Sequence, residues 1–241
     1  MGSASREFIL NNFGDKQLHD TIYVTANSHF EQLDDDVFFY VERVYGDVTV
    51  DGRQETNRRL LEATVELHQT YPNKRIITHF MQPHAPYISE RAAELREQIA
   101  SESKFSFSLD DGSQSHSDSL LEFHSLLTAR RFGFLSDRVL REVYQYDFEH
   151  ILGYVESLID ELDGKTVLTA DHGELLGERL PPLYLRDWGH GYNLFSKPVR
   201  TVPWFVVDHE ERRDIQTDKP LQSEGVREED VRKHLELLGY K

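Results

Sequence analysis

The chain has 241 residues, 38% of them hydrophobic and 11% aromatic, enough for a packed core and incompatible with a wholly disordered or low-complexity protein. Asp and Glu number 43 against 27 Lys and Arg, a net charge of -16. This disfavours nucleic acid as the main ligand, because phosphate binding needs a basic footprint.

The absence of Cys excludes disulfides, thiolate metal sites and a Cys nucleophile. Only 8 of the basic residues are Lys. An acidic, Lys-poor chain is a halophile signature, although an ordinary acidic cytosolic protein can show the same balance. No apolar run approaches the ~18 to 20 residues that span a bilayer. The opening MGSASREF lacks the basic and apolar regions of a secretory signal, so the default expectation is a cytoplasmic protein without a membrane span.

Asp20 to Ala26 (DTIYVTA) is β-branched and aromatic and predicts a buried strand; Val37 to Val41 (VFFYV) predicts a second. The acidic run Asp34-Asp35-Asp36 between them reads as a solvated loop. Gln54 to Tyr71 places Leu60, Leu61, Thr64, Val65 and Leu67/His68 on a helical stripe, ended by Pro72-Asn73. Arg75 to Met81 is strand-like again, and Ser101 to Ser119, rich in Ser, Asp and Gly, predicts a mobile loop.

Asp137 to Leu162 carries apolar residues from Leu140 and Val143 through Tyr144, Phe148, Ile151, Leu152, Val155 and Ile159, the pattern of an amphipathic helix closed by Asp163-Gly164. Lys165 to Ala170 (KTVLTA) and Thr201 to Val207 (TVPWFVV) predict two more strands, the latter with its Pro near the start. Asp208 to Gly225 reads as a polar linker and Val226 to Leu238 as a terminal helix. Strands alternating with helices predict an α/β domain over residues 1–207, with a mainly parallel sheet flanked by helices, followed by a polar linker and helix over 208–241.

The sharpest local signal is Asp171-His172-Gly173-Glu174, directly after the strand KTVLTA. Open α/β sheets bind ligands beyond the carboxyl ends of their strands. A carboxylate beside an imidazole there offers two ligands of the kind Zn or Mn accepts. Gly173 is expected to let the backbone turn sharply behind them. The competing reading is an Asp helix cap followed by a surface His. His79 and His84 in THFMQPHAPY, and His190 in DWGHGYN, repeat the same chemistry in two further segments.

In ordered combination, TVLTADHGELLGE, WGHG, RTVPWFVV, THFMQPHAPY and the helix YQYDFEHILGYVESLIDEL resemble the sulfatase and alkaline-phosphatase-like superfamily. The resemblance covers segments between Ile76 and Val207. It is nearest the lipoteichoic-acid-synthase and phosphoethanolamine-transferase type and sulfatase-like archaeal relatives. It implies that Asp171 and His172 bind a divalent metal (Zn, Mn, Ca or Mg). It also implies that His84 and His190 face the transferred phosphate or sulfate group, or a second metal.

The opening Gly2 to Phe8 resembles the end of the family's nucleophile stretch, which places the nucleophile at Ser3, with Ser5 as second choice. The family's first core strand and its acidic ligand precede that stretch, and here they have no counterpart. The sequence therefore resembles an alkaline-phosphatase-like core lacking its first strand. Asn27, after YVTA, is a weaker substitute for the ligand, and the first residues also read as an ordinary flexible terminus.

The implied function is a metal-dependent hydrolase of sulfate or phosphate esters, small or linked to glycan or lipid. A phospho-group transferase uses the same residues with an acceptor hydroxyl in place of water. A catalytically inactive binding domain that keeps the fold is the third reading. With Ser3 near a chain end and the acidic ligand missing, weak metal binding and little turnover are expected.

Overall fold

Every residue from Thr21 to Thr25 is β-branched or aromatic, and in the computed structural model this run lies in the middle strand of a three-stranded sheet. The structure describes residues 2–34, 36–46, 50–102, 105–107, 121–123, 125–209 and 212–221. Helix α1 (Ser5–Phe13) leads into β1 (Leu18–Thr25), a short 3-10 turn (Ser28–Gln32) and β2 (Phe38–Arg43). Helix α2 (Val50–Thr70) then crosses to β3 (Arg75–His79). The sheet order is β2-β1-β3 with both pairings parallel, and Thr25 stands opposite His79 in the register.

Alternation along β1 explains the two-sided burial. Tyr23 faces Ile9 and Phe13 of α1 together with Phe30 and Phe38. Ile22 and Val24 point the other way, onto Leu60 of α2 and Phe39. This α/β unit matches the expected class. Helix α2 begins at Val50, earlier than the apolar stripe from Gln54 suggested.

A third cluster is helical. Helix α3 (Glu90–Glu102) sets Ala92, Leu95 and Ile99 against Leu126 and Ala129 of α4 (Leu126–Arg131) and Leu140 and Val143 of α5 (Asp137–Glu161). The α3 stripe was present in the sequence at a spacing of three and four, inside a highly charged stretch that hid it. Between α3 and α4 lie the three-residue strands β4 (Phe105–Phe107) and β5 (Leu121–Phe123); most of the expected mobile loop falls outside the described residues. Helix α5 runs as expected, capped by Ser136, whose hydroxyl accepts from Val139 N at 3.3 Å. Its buried face differs from the apolar stripe, however: Phe148 is exposed while Asp147 beside it is fully buried.

The strand pairing beyond α5 corrects the expectation of one mainly parallel sheet. Strand β6 (Thr166–Thr169) does not join β2-β1-β3 but pairs antiparallel with β9 (Trp204–Val207). Between them stand an antiparallel hairpin, β7 (Leu175–Leu180) and β8 (Leu185–Gly189), and the four-residue α6 (Lys197–Arg200). The intervening chain thus has no helix long enough to carry a parallel crossover. At Gly177, φ is +102° and a Cβ would collide with the Asp137 carboxylate, so the bulged β7 needs glycine there.

Residues 212–221 are less loose than a polar linker implies. Gln216 N donates to Asn73 O at 2.9 Å and Leu221 N to Phe39 O at 2.7 Å, while buried Lys74 reaches Asp218 at 2.6 Å. The helix expected over Val226 to Leu238 lies outside the described residues, as does Asp35; Asp34 and Asp36 are exposed. Among the described residues no helix is long and apolar enough to cross a membrane.

Candidate active site

Five chain segments converge near the carboxyl ends of β1 and β3: the start of α1, the turn after β1, the end of β3 with its following loop, and the two loops flanking the β7–β8 hairpin. Asp171 follows β6, and its Oδ1 accepts from the His172 backbone N–H at 2.9 Å. Its Oδ2 is buried without a hydrogen-bond partner, with His79 Nε2 3.5 Å away and His172 Nε2 at 3.7 Å. Burial alone would raise the Asp171 pKa, but its neighbours His79, His172 and Ser5 outweigh it and hold the carboxyl far below the usual carboxylate range.

His172 Nδ1 lies 2.9 Å from the carbonyl oxygen of Gly173. A carbonyl only accepts, so Nδ1 donates to it and Nε2 is the nitrogen left to face the site. That nitrogen lies 3.4 Å from Ser5 Oγ. Gly173 has no left-handed φ, in contrast to the sharp turn expected of it. Glycine is required because a Cβ would run into the carbonyl oxygen of Pro198. The Gly173 N–H donates to Val199 O at 2.9 Å, closing this loop onto α6.

Three imidazoles pack in sequence, tilted or edge to face. The His172 and His190 ring centroids are 4.2 Å apart, and those of His190 and His84 are 5.2 Å apart. His190 Nδ1 donates to Glu174 Oε2 at 3.0 Å. Burial pulls the His190 pKa down, but Glu174 and Asp171 outweigh it and the net shift is upward. His84 goes the other way: burial first, then the positive charges of His190, Arg53 and His172, hold it well below the ordinary value. Neighbouring imidazoles pushed in opposite directions separate into a proton donor and a neutral partner.

Ser3 and Ser5 part company. Ser3 Oγ donates to Gly191 O at 2.8 Å, lies 3.0 Å from Glu7 Oε2 and accepts from Leu194 N at 3.0 Å. Its backbone N–H also donates to Glu7 Oε2 at 2.8 Å. The first choice of nucleophile thus ties α1 to the His190 loop and does not face Asp171. Ser5, the second choice, is the first residue of α1 and the hydroxyl that meets His172, where the positive end of the helix favours negative charge. Asn27 is no ligand here: its Oδ1 accepts from His29 N at 3.0 Å and caps the 3-10 turn.

Three further residues take part: His79 and Glu174, which stand in segments the sequence singles out, and His29, which it does not. His79 is positioned by Tyr23, whose hydroxyl lies 3.0 Å from its Nδ1 and whose own pKa burial pushes far up. Glu174 is the partner of His190, with Oε1 buried and unpartnered. His29, 4% exposed, lies close enough to feel the charges of His190, Asp171 and His79. All three obey the strand-end rule that found the others.

No protein-family model, curated protein or solved structure matches this chain. The chemistry of the site is therefore read from its own residues.

The donor set suits a divalent cation. Asp171 Oδ2 has no hydrogen-bond partner, and two imidazole nitrogens stand near it at about the spacing of neighbouring ligands in a tetrahedral site with ~2.0 to 2.2 Å bonds. Imidazole donors favour Zn over Ca or Mg. Among the described residues, however, no three His, Asp or Glu side chains are already drawn up into a metal-holding group.

Proposed function

We propose that this domain is a metal-dependent hydrolase of phosphate or sulfate esters, built on an alkaline-phosphatase-like core, with Ser5 as nucleophile. The observation that carries the reading is the placing of Ser5 Oγ, at the start of α1, 3.4 Å from His172 Nε2 and beside the buried Asp171 carboxylate.

Asp171 and His172, with His79 at the same carboxylate oxygen, would hold the cation. Once bound, it would neutralise charge on the ester oxygens and make a nearby hydroxyl more acidic. The remaining roles belong to the chain itself. The N-terminus of α1 stabilises negative charge developing at Ser5 Oγ. His190, made more basic by Glu174, carries a proton to the departing ester oxygen, and neutral His84 packs beside it as a hydrogen-bonding wall. The Ser5 hydroxyl gives its proton to solvent as Oγ bonds to phosphorus or sulfur and the bond to the ester oxygen breaks. Water then attacks the same atom, returns a proton to His190 and frees Ser5 Oγ, which regains its proton from solvent.

A second reading is an inactive domain that retains weak metal or anion binding, since among the described residues Asp171 and its imidazoles are not drawn up into a three-ligand group. Release of p-nitrophenol from the aryl phosphate and the aryl sulfate in the presence of Mn or Zn separates the two. The hydrolase reading expects slow, metal-dependent release that Asp171→Ala abolishes, together with metal uptake measured by calorimetry. Metal uptake without release from either ester would leave the binding domain as the account.

A further inference from the structure

A fully buried aspartate in the middle of an otherwise apolar helix face calls for a physical reason. Asp147 lies in α5 with no exposed surface, between Val143 and Ile151, where an aliphatic side chain would pack at no electrostatic cost. A buried carboxylate costs several kcal/mol unless paired and hydrogen-bonded. The compensation is specific. Asp147 Oδ2 accepts from Ile88 N at 2.8 Å and Oδ1 accepts from Ser89 N at 2.8 Å. Both amides belong to the loop between β3 and α3, four and five residues beyond His84.

A second buried charge holds the same loop. Arg96 of α3, 7% exposed, donates from Nη1 to the carbonyl oxygen of Tyr87 at 2.8 Å. Arg53 of α2, 5% exposed, lies close enough for its charge to act on both His84 and Asp147. The backbone of three consecutive residues, Tyr87, Ile88 and Ser89, is thus fixed by an acid and a base, each on a different helix. Tyr87 and Ile88 are themselves buried at 1% and 2% exposure, so the far end of the loop is a rigid anchor. The near end is the carboxyl edge of β3, with His79 in the sheet. His84 is suspended between the two.

We propose that Asp147 is a positioning residue that, with Arg96, sets the His84 loop so that the His84 imidazole packs against His190. The proposed function supplies only what that imidazole is for; the clamp itself is a statement about geometry. Loss of one charge-assisted hydrogen bond to a backbone amide is worth enough to release a loop locally while the sheet core stays intact.

The test needs no turnover. In the wild-type chain, NMR should show slow hydrogen exchange at the Ile88 and Ser89 amides and a nuclear Overhauser contact between the His84 and His190 rings. In Asp147→Asn, which keeps the size and one carbonyl acceptor, exchange at Ile88 and Ser89 should quicken roughly tenfold or more. The His84–His190 ring contact should be lost, with protection at Ile22, Tyr23 and Val24 unchanged. Arg96→Gln should loosen the same loop and serves if Asp147→Asn fails to fold. A ring contact that persists at wild-type strength in a folded variant would overturn the proposal. So would equal loosening of the β1 amides, which marks a merely structural role, or fast exchange at Ile88 and Ser89 in the wild type. Absence of ester hydrolysis would bear on the functional reading and leave this outcome untouched.

Discussion

Residues 2–81 and residues 125–209 use their apolar side chains in different ways. In the first region the sheet is covered on both faces: Ile22, Tyr23, Val24 and Phe38 have no exposed surface, and Tyr23 packs on Phe30 and Phe38 with ring centroids 4.5 and 5.1 Å apart. In the second, α5 and its partners form a core, but the strands are two antiparallel ribbons, with Trp204 at 71% and Phe205 at 62% exposure on β9. Two-stranded ribbons have little stability of their own. These are held by polar ties. Asp137 accepts from Arg130, Arg186 and the Trp188 indole, Ser3 bonds Gly191 and Leu194, and His79 faces Asp171. The candidate site lies along that seam. Its histidines and carboxylates therefore serve cohesion as well as the proposed chemistry, and the first region supplies the platform.

The contrast can be broken with core and surface substitutions read by urea unfolding. Phe38→Ala removes a ring packed on Phe13, Tyr23 and Phe30 and should cost about 3 to 5 kcal/mol. A loss below about 1 kcal/mol would mean the platform is not the stable part.

The seam should respond to pH. Burial, reinforced by the charge of Arg6, pulls His29 down to about 4 from an ordinary 6.5. Its folded-state pKa lies below its unfolded one, so the unfolded chain binds the proton first as pH falls. The stability held by neutral His29 is present above about 6.5 and lost progressively toward 4. At roughly 1.4 kcal/mol per unit this amounts to about 3 kcal/mol. His29→Gln should flatten that part of the stability curve, and an unchanged slope would place the acid sensitivity elsewhere. The smallest effect belongs to the ribbon surface. Trp204→Ala and Phe205→Ser should each stay within about 0.5 kcal/mol of wild type, and a large loss would show that β9 is packed more firmly than its exposure suggests.

Much of this was legible in the sequence, for reasons that also explain the failures. Thr21 to Thr25 and the long helix from Asp137 follow single local rules, a continuous β-branched and aromatic run and a period of 3.6, and the structure forms both elements. Segments Asp171–Glu174, His79–His84 and the His190 loop could be found because chemistry gathers at strand ends. Partnership was not legible. Nothing local in KTVLTA says that it pairs with Trp204 to Val207 and leaves the parallel sheet. Nothing in Gly2 to Phe8 says that Ser3 turns toward Gly191 while Ser5 turns toward His172, because that depends on a contact 188 positions along the chain. Asp147 defeats pattern reading for a related cause: its carboxylate is explained by the amides it meets, and by nothing on its own helix.

The central claim is that Ser5, and not Ser3, is the attacking hydroxyl. It is tested most directly by intact-protein and peptide mass spectrometry after incubation with an aryl phosphate or aryl sulfate and Mn or Zn, followed by an acid quench. The account predicts one added phosphoryl or sulfuryl group on the peptide that begins the chain, located at Ser5, absent in Ser5→Ala and still formed in Ser3→Ala. Modification at Ser3, or an adduct that survives Ser5→Ala, would contradict it.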